Sequence, residues 1–510
     1  MSSGAYVEMV QINKSFGSVQ ANQDVDLNIF KGEIHALLGE NGSGKSTLMN
    51  MLSGIYRPDS GSIFLNNKKL EINSPRDAIQ AGIGMVHQHF KLVEVMNATE
   101  NIILGPDQPF WINKRERIAE IEAIRERYGL QVDLKRRIYH MSVGEKQSIE
   151  ILKVLYRGAE VLILDEPTAV LTPQEIHVLF DIVRNMKREG CAVIIITHKL
   201  NEVLEISDKV TVLRRGASIA TLNTAECNAR QLAEMMVGRP IDLSIKRSPV
   251  NPDGQELLLR VKDLTVEDTE RVERLQGIDF ELFSGEILGI AGVAGSGQKE
   301  LCEALAGLQT VKSGEIIFKG ENLVGLNPRT IFRRGVSMSF VPEDRLGMGL
   351  VGAMDITNNV LLRDYQRMPG ILMDRKISKH NAKQIVQQYE VATPSVNLQV
   401  KKLSGGNVQK VLLGREINSE PSMLITAYPV RGLDINASYR IYEILNQQKE
   451  QGVGILFIGE DLDVLLELCD RIMVINQGKV MGLVAAADFD KEEIGLMMMG
   501  HSPGEAMPLV

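Results

Sequence analysis

The strongest constraint on the fold is an internal repeat. The segment KGEIHALLGENGSGKSTLMNMLSGIYRPDSGSIFLN, which starts at Lys31, is matched by SGEILGIAGVAGSGQKELCEALAGLQTVKSGEIIFKG, which starts at Ser284. A repeat this long is a duplicated domain rather than a solenoid unit. We therefore expect two similar domains, residues 1–240 and 257–500, joined by a linker, residues 241–256, and followed by a tail, residues 501–510. The linker is polar and contains two prolines, which is typical of an extended connection.

Apolar runs and helical patterns alternate within each half. The runs EIHALLG (33–39), VLILDEP (161–167) and AVIIITH (192–198) are short and rich in branched residues, which predicts strands covered on both faces. Helical patterns follow Gly44 and cover the charged segment 114–128, where isoleucines recur at a helical spacing. Each half is therefore predicted to be an α/β core with a helical insert, roughly residues 91–140 and 344–402.

Composition excludes several classes of protein. Lysine and arginine number 57 against 65 acidic residues, and only 5% of residues are aromatic, so a nucleic-acid-binding protein is not expected. The four cysteines are scattered, which argues against a disulfide framework or a zinc site. No apolar run approaches the length of a membrane span.

The segment GENGSGKS (39–46) matches the phosphate-binding loop GxxxxGK[ST], between a predicted strand and a predicted helix. Its glycines allow backbone N–H groups to converge on phosphate oxygens, and the helix directs its positive end at the anion. Lys45 is expected to reach the β- and γ-phosphates, and the Ser46 hydroxyl to hold Mg²⁺. The predicted nucleotide-binding residues here are Gly39, Asn41, Gly42, Gly44, Lys45, Ser46 and Thr47.

A second acidic motif follows the predicted strand 161–164. Asp165 ends this apolar run, where its carboxylate can bind Mg²⁺ through water, and Glu166 can orient and polarise an attacking water. A strand followed by a solvated acidic turn is the alternative reading of the same letters.

These motifs together resemble the ATP-binding subunits of ABC transporters over nearly the whole chain. The resemblance includes LSGGN (403–407) as the signature motif, Gln88 as the Q-loop glutamine, His198 as the switch histidine and Phe16 as the adenine-stacking aromatic. It implies an α/β fold of two tandem P-loop NTPase ABC domains, each with a RecA-like core, an antiparallel β part and a helical subdomain. It also implies ATP and Mg²⁺ as cofactors, catalytic roles for Glu166, His198, Gln88 and Lys45, and Mg²⁺ contacts from Ser46, Gln88 and Asp165.

The two halves are not equivalent. In the second half, Gln298 and Lys299 stand where Lys45 and Ser46 stand, and Ala427 and Tyr428 where Asp165 and Glu166 stand. Glu460 replaces His198, Glu343 replaces Gln88, and Thr269 stands where the first half has Phe16. The first half instead has the poorer signature, MSVGE (141–145). In the family each ATP lies between the phosphate loop of one domain and the signature of the other. The resemblance therefore implies one hydrolytic site, which pairs the first-half motifs with Ser404, Gly405 and Gly406.

The segments VPEDR (341–345), LSGGNVQK (403–410) and PVRGLD (429–434) are similar to those of simple-sugar and nucleoside importers. The resemblance implies a transport-coupled ATPase on the cytoplasmic face of the membrane, with two permease subunits and an external substrate-binding protein as partners. One chain per permease pair is the assembly it suggests. The segments MVHQHF (85–90) and GVAGSGQ (292–298) are similar to those of the nucleoside branch, so the resemblance favours a nucleoside importer. A ribose/galactose-type importer, a soluble tandem ABC ATPase acting on ribosomes or nucleic acid, and a non-hydrolysing scaffold remain alternatives.

Overall fold

The computed structural model describes residues 4–17, 19–88, 90–104, 113–240, 243–249, 255–268, 270–333, 338–342, 344–365 and 375–502. The chain separates into two compact units, Met1–Leu243 and Ser244–Val510. Their boundary lies inside the predicted linker. Residues 241, 242 and 250–254 of that linker, residues 503–510 of the predicted tail, and positions 269 and 343 lie outside the described residues.

The first unit contains a four-stranded antiparallel sheet and a six-stranded sheet. The strands are β1 Val7–Phe16, β2 Val19–Ile29, β3 Ile34–Gly39, β4 Ser60–Leu65, β5 Lys68–Leu70, β6 Ile83–Val86, β7 Val161–Asp165, β8 Ala192–Thr197, β9 Lys209–Arg214 and β10 Ala217–Asn223. The helices are α1 Lys45–Leu52, α2 Pro75–Gln80, α3 Ala98–Ile103, α4 Lys114–Tyr128, α5 Val143–Tyr156, α6 Pro173–Arg188, α7 Leu200–Ile206 and α8 Ala229–Val237. The small sheet has the order β2-β1-β4-β5 and the large sheet β10-β9-β3-β8-β7-β6.

The second unit repeats this plan. Its strands are β11 Leu257–Glu267, β12 Glu273–Phe283, β13 Ile287–Ala291, β14 Val311–Phe318, β15 Glu321–Asn322, β16 Met338–Val341, β17 Met423–Ala427, β18 Gly454–Ile458, β19 Arg471–Asn476 and β20 Lys479–Ala485. Its helices are α9 Gln298–Leu305, α10 Pro328–Arg333, α11 Ile356–Asp364, α12 Arg375–Gln388, α13 Gly405–Ile417, α14 Ile435–Glu450, α15 Leu462–Leu468 and α16 Lys491–Met498. The sheet orders are β12-β11-β14-β15 and β16-β17-β18-β13-β19-β20.

The apolar runs form the centre of each large sheet, as the sequence predicts. Strands β3, β8, β7 and β6 are parallel neighbours, and every residue of β3 and β8 is buried. Parallel strands covered on both faces require such continuous apolar runs, because neither face meets water. The predicted α/β core and the antiparallel part are confirmed in both halves.

Helices also occupy the two predicted inserts, with α3 and α4 in the first unit and α11 and α12 in the second. None of the helices that the structure describes combines the length and the apolar character that crossing a bilayer requires.

Candidate functional site

The large sheet of the first unit brings four motif segments to one edge. Strands β3, β8, β7 and β6 lie side by side in parallel register, so their carboxyl ends face the same way. The phosphate loop follows β3, His198 follows β8, Asp165 and Glu166 end β7, and Gln88 follows β6. Ligands of open α/β sheets bind at this edge.

The phosphate loop connects β3 to α1, which begins at Lys45 after a left-handed Gly44, φ 99°. A Cβ at Gly44 would lie 2.3 Å from the carbonyl oxygen of Ala21, so only glycine fits this turn. Ser46 and Asn41 are exposed, whereas the side chain of Lys45 is buried. The loop therefore presents exposed polar groups at the start of a helix.

Lys45 folds back on its own loop. Its Nζ donates hydrogen bonds to the carbonyl oxygens of Gly39 and Glu40, at 2.6 and 2.9 Å. Burial lowers the pKa of the Lys45 ammonium, and the nearby carboxylates of Glu166, Asp165 and Glu40 oppose that shift. A buried ammonium that donates to carbonyl oxygens is chemically suited to bind an anion, since phosphate oxygens would compensate its charge.

Asp165 and Glu166 form an acidic pair at the end of β7. Burial, with the neighbouring charge of Glu166, raises the pKa of Asp165 to about 6, while Lys45 acts in the opposite direction. Two adjacent, partly buried carboxylates repel each other unless a cation is present. Carboxylate and hydroxyl oxygens are the ligands that Mg²⁺ prefers, so the donor set of this site fits that ion.

Glu166 is held by both of its neighbours along the sheet edge. Its Oε1 lies 3.0 Å from His198 Nδ1, and its Oε2 accepts a 3.0 Å hydrogen bond from Gln88 Nε2. The hydrogen bond with His198 lowers the pKa of Glu166, against the effect of burial. The backbone adopts φ 47°, where the Glu166 N–H donates to Ile196 O of β8 at 2.9 Å. The carboxylate is therefore ionised and fixed in direction.

Phe16 ends β1 with a ring that is 44% exposed. Tyr56 lies beside it, with ring centroids 5.2 Å apart at 69°, and Lys14 Nζ lies 5.6 Å from the Phe16 centroid. An exposed aromatic pair is suited to contact a planar base. Tyr56 carries no sequence motif, so only the fold identifies it as a member of the pair.

Asn22 is a second residue that sequence reasoning misses. It is fully buried on β2, and its Nδ2 donates to Gly44 O at 3.2 Å, directly before Lys45. Leu275 holds the corresponding place in the second unit. A Cβ added to Gly44 would contact Asn22, and a Cβ added to the equivalent Gly297 would contact Leu275. This polar support under the phosphate loop is thus specific to the first unit.

The second unit keeps the backbone of the site and changes its chemistry. Gln298 Nε2 donates to Val293 O at 3.2 Å, which reproduces part of the contact that Lys45 makes, without the charge. Tyr428 adopts φ 50° and its N–H donates to Ile458 O, as Glu166 does with Ile196. The side chain of Glu460 pairs with Arg431 at 3.2 Å, and Arg431 lies 5.9 Å from the Tyr428 ring.

The signature residue Ser404 is the N-cap of α13, and Gly405 and Gly406 form its first turn. The Ser404 Oγ accepts a 2.8 Å hydrogen bond from Asn407 Nδ2. Arg345 donates to the carbonyl oxygens of Gly405 and Arg431, which ties this turn to the segment after β17. The signature turn is therefore held from its carbonyl side.

Comparison with known proteins follows the same division into two halves. The ABC transporter family model matches twice, at residues 22–169 and 275–429. The chain is 41% identical to the nucleoside import ATP-binding protein NupA of Lactococcus lactis, over 99% of this chain and 100% of that protein. It is 42% identical to the guanosine import ATP-binding protein NupO of Bacillus subtilis, over 98% of both chains.

Other relatives carry sugar names. The chain is 39% identical to the ribose import ATP-binding protein RbsA 1 of Rubrobacter xylanophilus, over 97% of this chain and 98% of that one. A chain from the crystal structure of archaeal ribosomal stalk protein aP1 with the ribosome recycling factor aABCE1 shares the fold, with a TM-score of 0.59 over 93% of this chain and 90% of that one, at 18% identity. The predicted resemblance is confirmed, and the chain belongs to the ABC transporter family as an ATP-binding ATPase with two ABC domains.

Proposed function

We propose that this protein hydrolyses Mg·ATP at one composite site. The site consists of the first-unit residues Lys45, Ser46, Gln88, Asp165, Glu166 and His198, completed by Ser404, Gly405 and Gly406. The observation that carries the proposal is the Glu166 carboxylate, held between Gln88 and His198 at the sheet edge. Tyr428 in the corresponding backbone conformation cannot take the same part in the chemistry.

Lys45 and the loop N–H groups bind the phosphates, with Phe16 against the base. Bound Mg²⁺ would neutralise phosphate charge, and Ser46, Gln88 and Asp165 are the residues proposed to hold it, Asp165 through water. Glu166, which is ionised and fixed in direction, accepts a hydrogen bond from the attacking water and polarises it. His198 and Gln88 keep the carboxylate aligned, since each binds one of its oxygens.

The first test compares Glu166→Gln with Tyr428→Phe. Glu166→Gln is expected to lower steady-state hydrolysis by roughly 10²–10⁴-fold, as loss of a group that polarises water does. Tyr428→Phe keeps the ring and removes only the hydroxyl, so hydrolysis should stay within about twofold by the same reasoning. Measured phosphate release that falls equally in both variants would refute the single-site assignment.

The cross-domain pairing is tested with Ser404→Arg and Ser142→Arg. A bulky cation at Ser404 should abolish hydrolysis, because it fills the turn that completes the intact site. The same change at Ser142 alters only the turn assigned to the degenerate site, so hydrolysis should persist. Equal losses in phosphate release would contradict the pairing.

We further propose that hydrolysis drives import of a nucleoside through two membrane permease subunits. An external binding protein delivers the nucleoside to them, and this chain lies on the cytoplasmic face. The relatives named for nucleoside and guanosine import align over nearly their whole length, which supports this assignment. A monosaccharide such as ribose is the second candidate, because a ribose import protein aligns at similar identity.

Uptake in cells separates these candidates. Cells that lack this chain are complemented with the wild type or with Glu166→Gln and supplied with radiolabelled guanosine, uridine, ribose or galactose. Nucleoside uptake restored only by the wild type supports the proposal. Restoration of ribose or galactose uptake alone would replace it with the monosaccharide assignment, and no change in any uptake would refute import.

A further inference from the structure

The carboxylate of Glu175 joins the starts of two helices in the first unit. Its Oε2 accepts from the Thr172 N–H at 3.0 Å, which closes the capping box of α6. Its Oε1 accepts from the Ser142 hydroxyl and from the Gly144 N–H, each at 3.1 Å. These two donors belong to the N-cap and first turn of α5, which is the MSVGE turn.

Ser142 and Gly144 hold the positions that Ser404 and Gly406 hold in the second unit. In the proposed function, Ser404, Gly405 and Gly406 complete the ATP site, and the hydroxyl and the N–H at these positions are the donors that a signature turn can offer to the γ-phosphate. In the first unit, an internal anion already uses both donors. A triphosphate could reach this turn only by displacing a charge-assisted hydrogen-bonded carboxylate of its own sign.

The corresponding position in the second unit cannot supply such an anion. Glu175 is the third residue after the N-cap Thr172 of α6, and the third residue after the N-cap Asp434 of α14 is Ala437. The signature turn of the first unit has a further carboxylate, Glu145, whose Oε2 accepts from the Ser142 N–H. The signature turn of the second unit instead has Arg345, which donates to the carbonyl oxygen of Gly405. The two signature turns thus differ in local charge as well as in sequence.

We propose that Glu175 is the residue that determines which signature turn accepts nucleotide. Its carboxylate occupies the phosphate-recognising donors of the first turn and excludes a γ-phosphate from the degenerate site, whereas Ala437 leaves the second turn open. This proposal rests on the proposed function, in which ATP is completed by a signature turn. Val143 also distinguishes the first turn, since it stands where the second turn has Gly405. The proposal adds the Glu175 side chain as a cause of the asymmetry between the two sites.

The first test transfers the carboxylate to the open turn. Ala437→Glu should lower steady-state hydrolysis by on the order of 100-fold, comparable with loss of an anion-stabilising donor. Ala437→Gln is the matched control, because it adds the same bulk at this buried position without charge, and should retain at least about a tenth of the activity by the same comparison. Thermal melting of both variants checks folding. Hydrolysis equal in the two folded variants would overturn the proposal.

The second test removes the carboxylate without changing its size. Glu175→Gln keeps a side chain that can close the capping box with Thr172, so α6 should be preserved. Binding of radiolabelled ATP is titrated in a Glu166→Gln background. Glu175→Gln should tighten binding of a second ATP per chain by about tenfold or more, as removal of a repelling charge in a shielded site predicts. Unchanged second-site binding would overturn the proposal.

The first test requires hydrolysis, whereas the second measures binding alone. If wild-type protein released no phosphate from Mg·ATP, the proposed function would fail, and the binding titration would still report on Glu175. If hydrolysis occurred and both tests gave unchanged values, only the role of Glu175 would be refuted.

Discussion

At the scale of single residues, a side chain outside every motif contacts the phosphate loop of the first unit. The amide of Asn22 holds the carbonyl oxygen of Gly44, the residue that starts the turn into α1. Gly44 has a left-handed backbone, so its peptide orientation decides where the following N–H groups point. The Asn22 hydrogen bond, added to the helical one from the Leu48 N–H, therefore helps to orient the peptide that begins α1.

Asn22→Leu should weaken ATP binding, because Gly44 O would lose its side-chain donor and keep its helical hydrogen bond from the Leu48 N–H. Loss of one hydrogen bond costs about 0.5–1.5 kcal/mol, which corresponds to roughly a 2- to 13-fold higher KM for ATP. The fold should persist, since the second unit has leucine at this place. Steady-state kinetics give KM and kcat, and Leu275→Asn serves as the control that leaves both unchanged. A KM for Asn22→Leu equal to the wild-type value would contradict this role.

Sequence reasoning proposes the residues that belong to a motif and misses those that act by contact. Lys45, Asp165 and Glu166 belong to motifs whose spacing is visible in the sequence, and the large sheet brings them to one edge. Asn22, Tyr56 and Glu175 contact segments that are distant in sequence. Each of them belongs to no motif, so the sequence alone gives it no more than an ordinary structural role. Only the register of β2 and the packing of α5 near α6 bring them to their partners.

At the scale of secondary structure, a buried asparagine fixes the start of each helical insert. Asn101 of α3 accepts from the Val93 N–H at 2.7 Å and donates to Val93 O at 3.1 Å. Asn359 of α11 does the same with Val351, at 2.8 and 3.1 Å. Both side chains are almost fully buried. Each asparagine amide thus pairs with the N–H and the carbonyl of one residue in the preceding loop, as a neighbouring strand would.

Asn101→Leu should destabilise the first unit, because the Val93 N–H would lose its partner, while Val93 O keeps its hydrogen bond from the Met96 N–H. An unpaired polar group of this kind costs about 1–3 kcal/mol. Urea unfolding of the full chain measures the loss, and amide exchange should accelerate in residues 93–104. Asn359→Leu is the matched variant, with the same expected loss in the second unit and unchanged exchange in residues 93–104. Wild-type stability of both variants would show that these asparagine hydrogen bonds do not stabilise the inserts.

The core strands were predictable because a parallel sheet needs unbroken apolar runs. Helix α4 was predicted from isoleucines three residues apart, and the helix is confirmed, although Ile121 is buried and Ile118 is 39% exposed. A spacing of three falls short of a helical turn, so successive side chains rotate by about 60° around the axis. One of them therefore leaves the buried face.

At the scale of the whole molecule, part of the predicted linker belongs structurally to the second unit. Ser248 is buried, and its hydroxyl donates to Glu450 at 2.7 Å while its carbonyl accepts from Lys449. The side chain of Lys449 is only 1% exposed in its ion pair with Asp470, whereas Lys187, in the equivalent pair of the first unit, is 37% exposed. The linker segment thus covers an ion pair that the first unit leaves open.

Arg247 fixes the same segment to α15. Its guanidinium donates to the carbonyl oxygens of Leu466 and Glu467, which end that helix and have no partner within it. Arg247→Ala should therefore lower the stability of the second unit by about 1 kcal/mol and raise amide exchange in residues 245–248. Lys246→Ala changes an exposed neighbour and should stay within about 0.5 kcal/mol of the wild type. Calorimetry and hydrogen exchange on the full chain measure both effects. Exchange in residues 245–248 that is equal in the two variants would show that Arg247 does not hold this segment against α15.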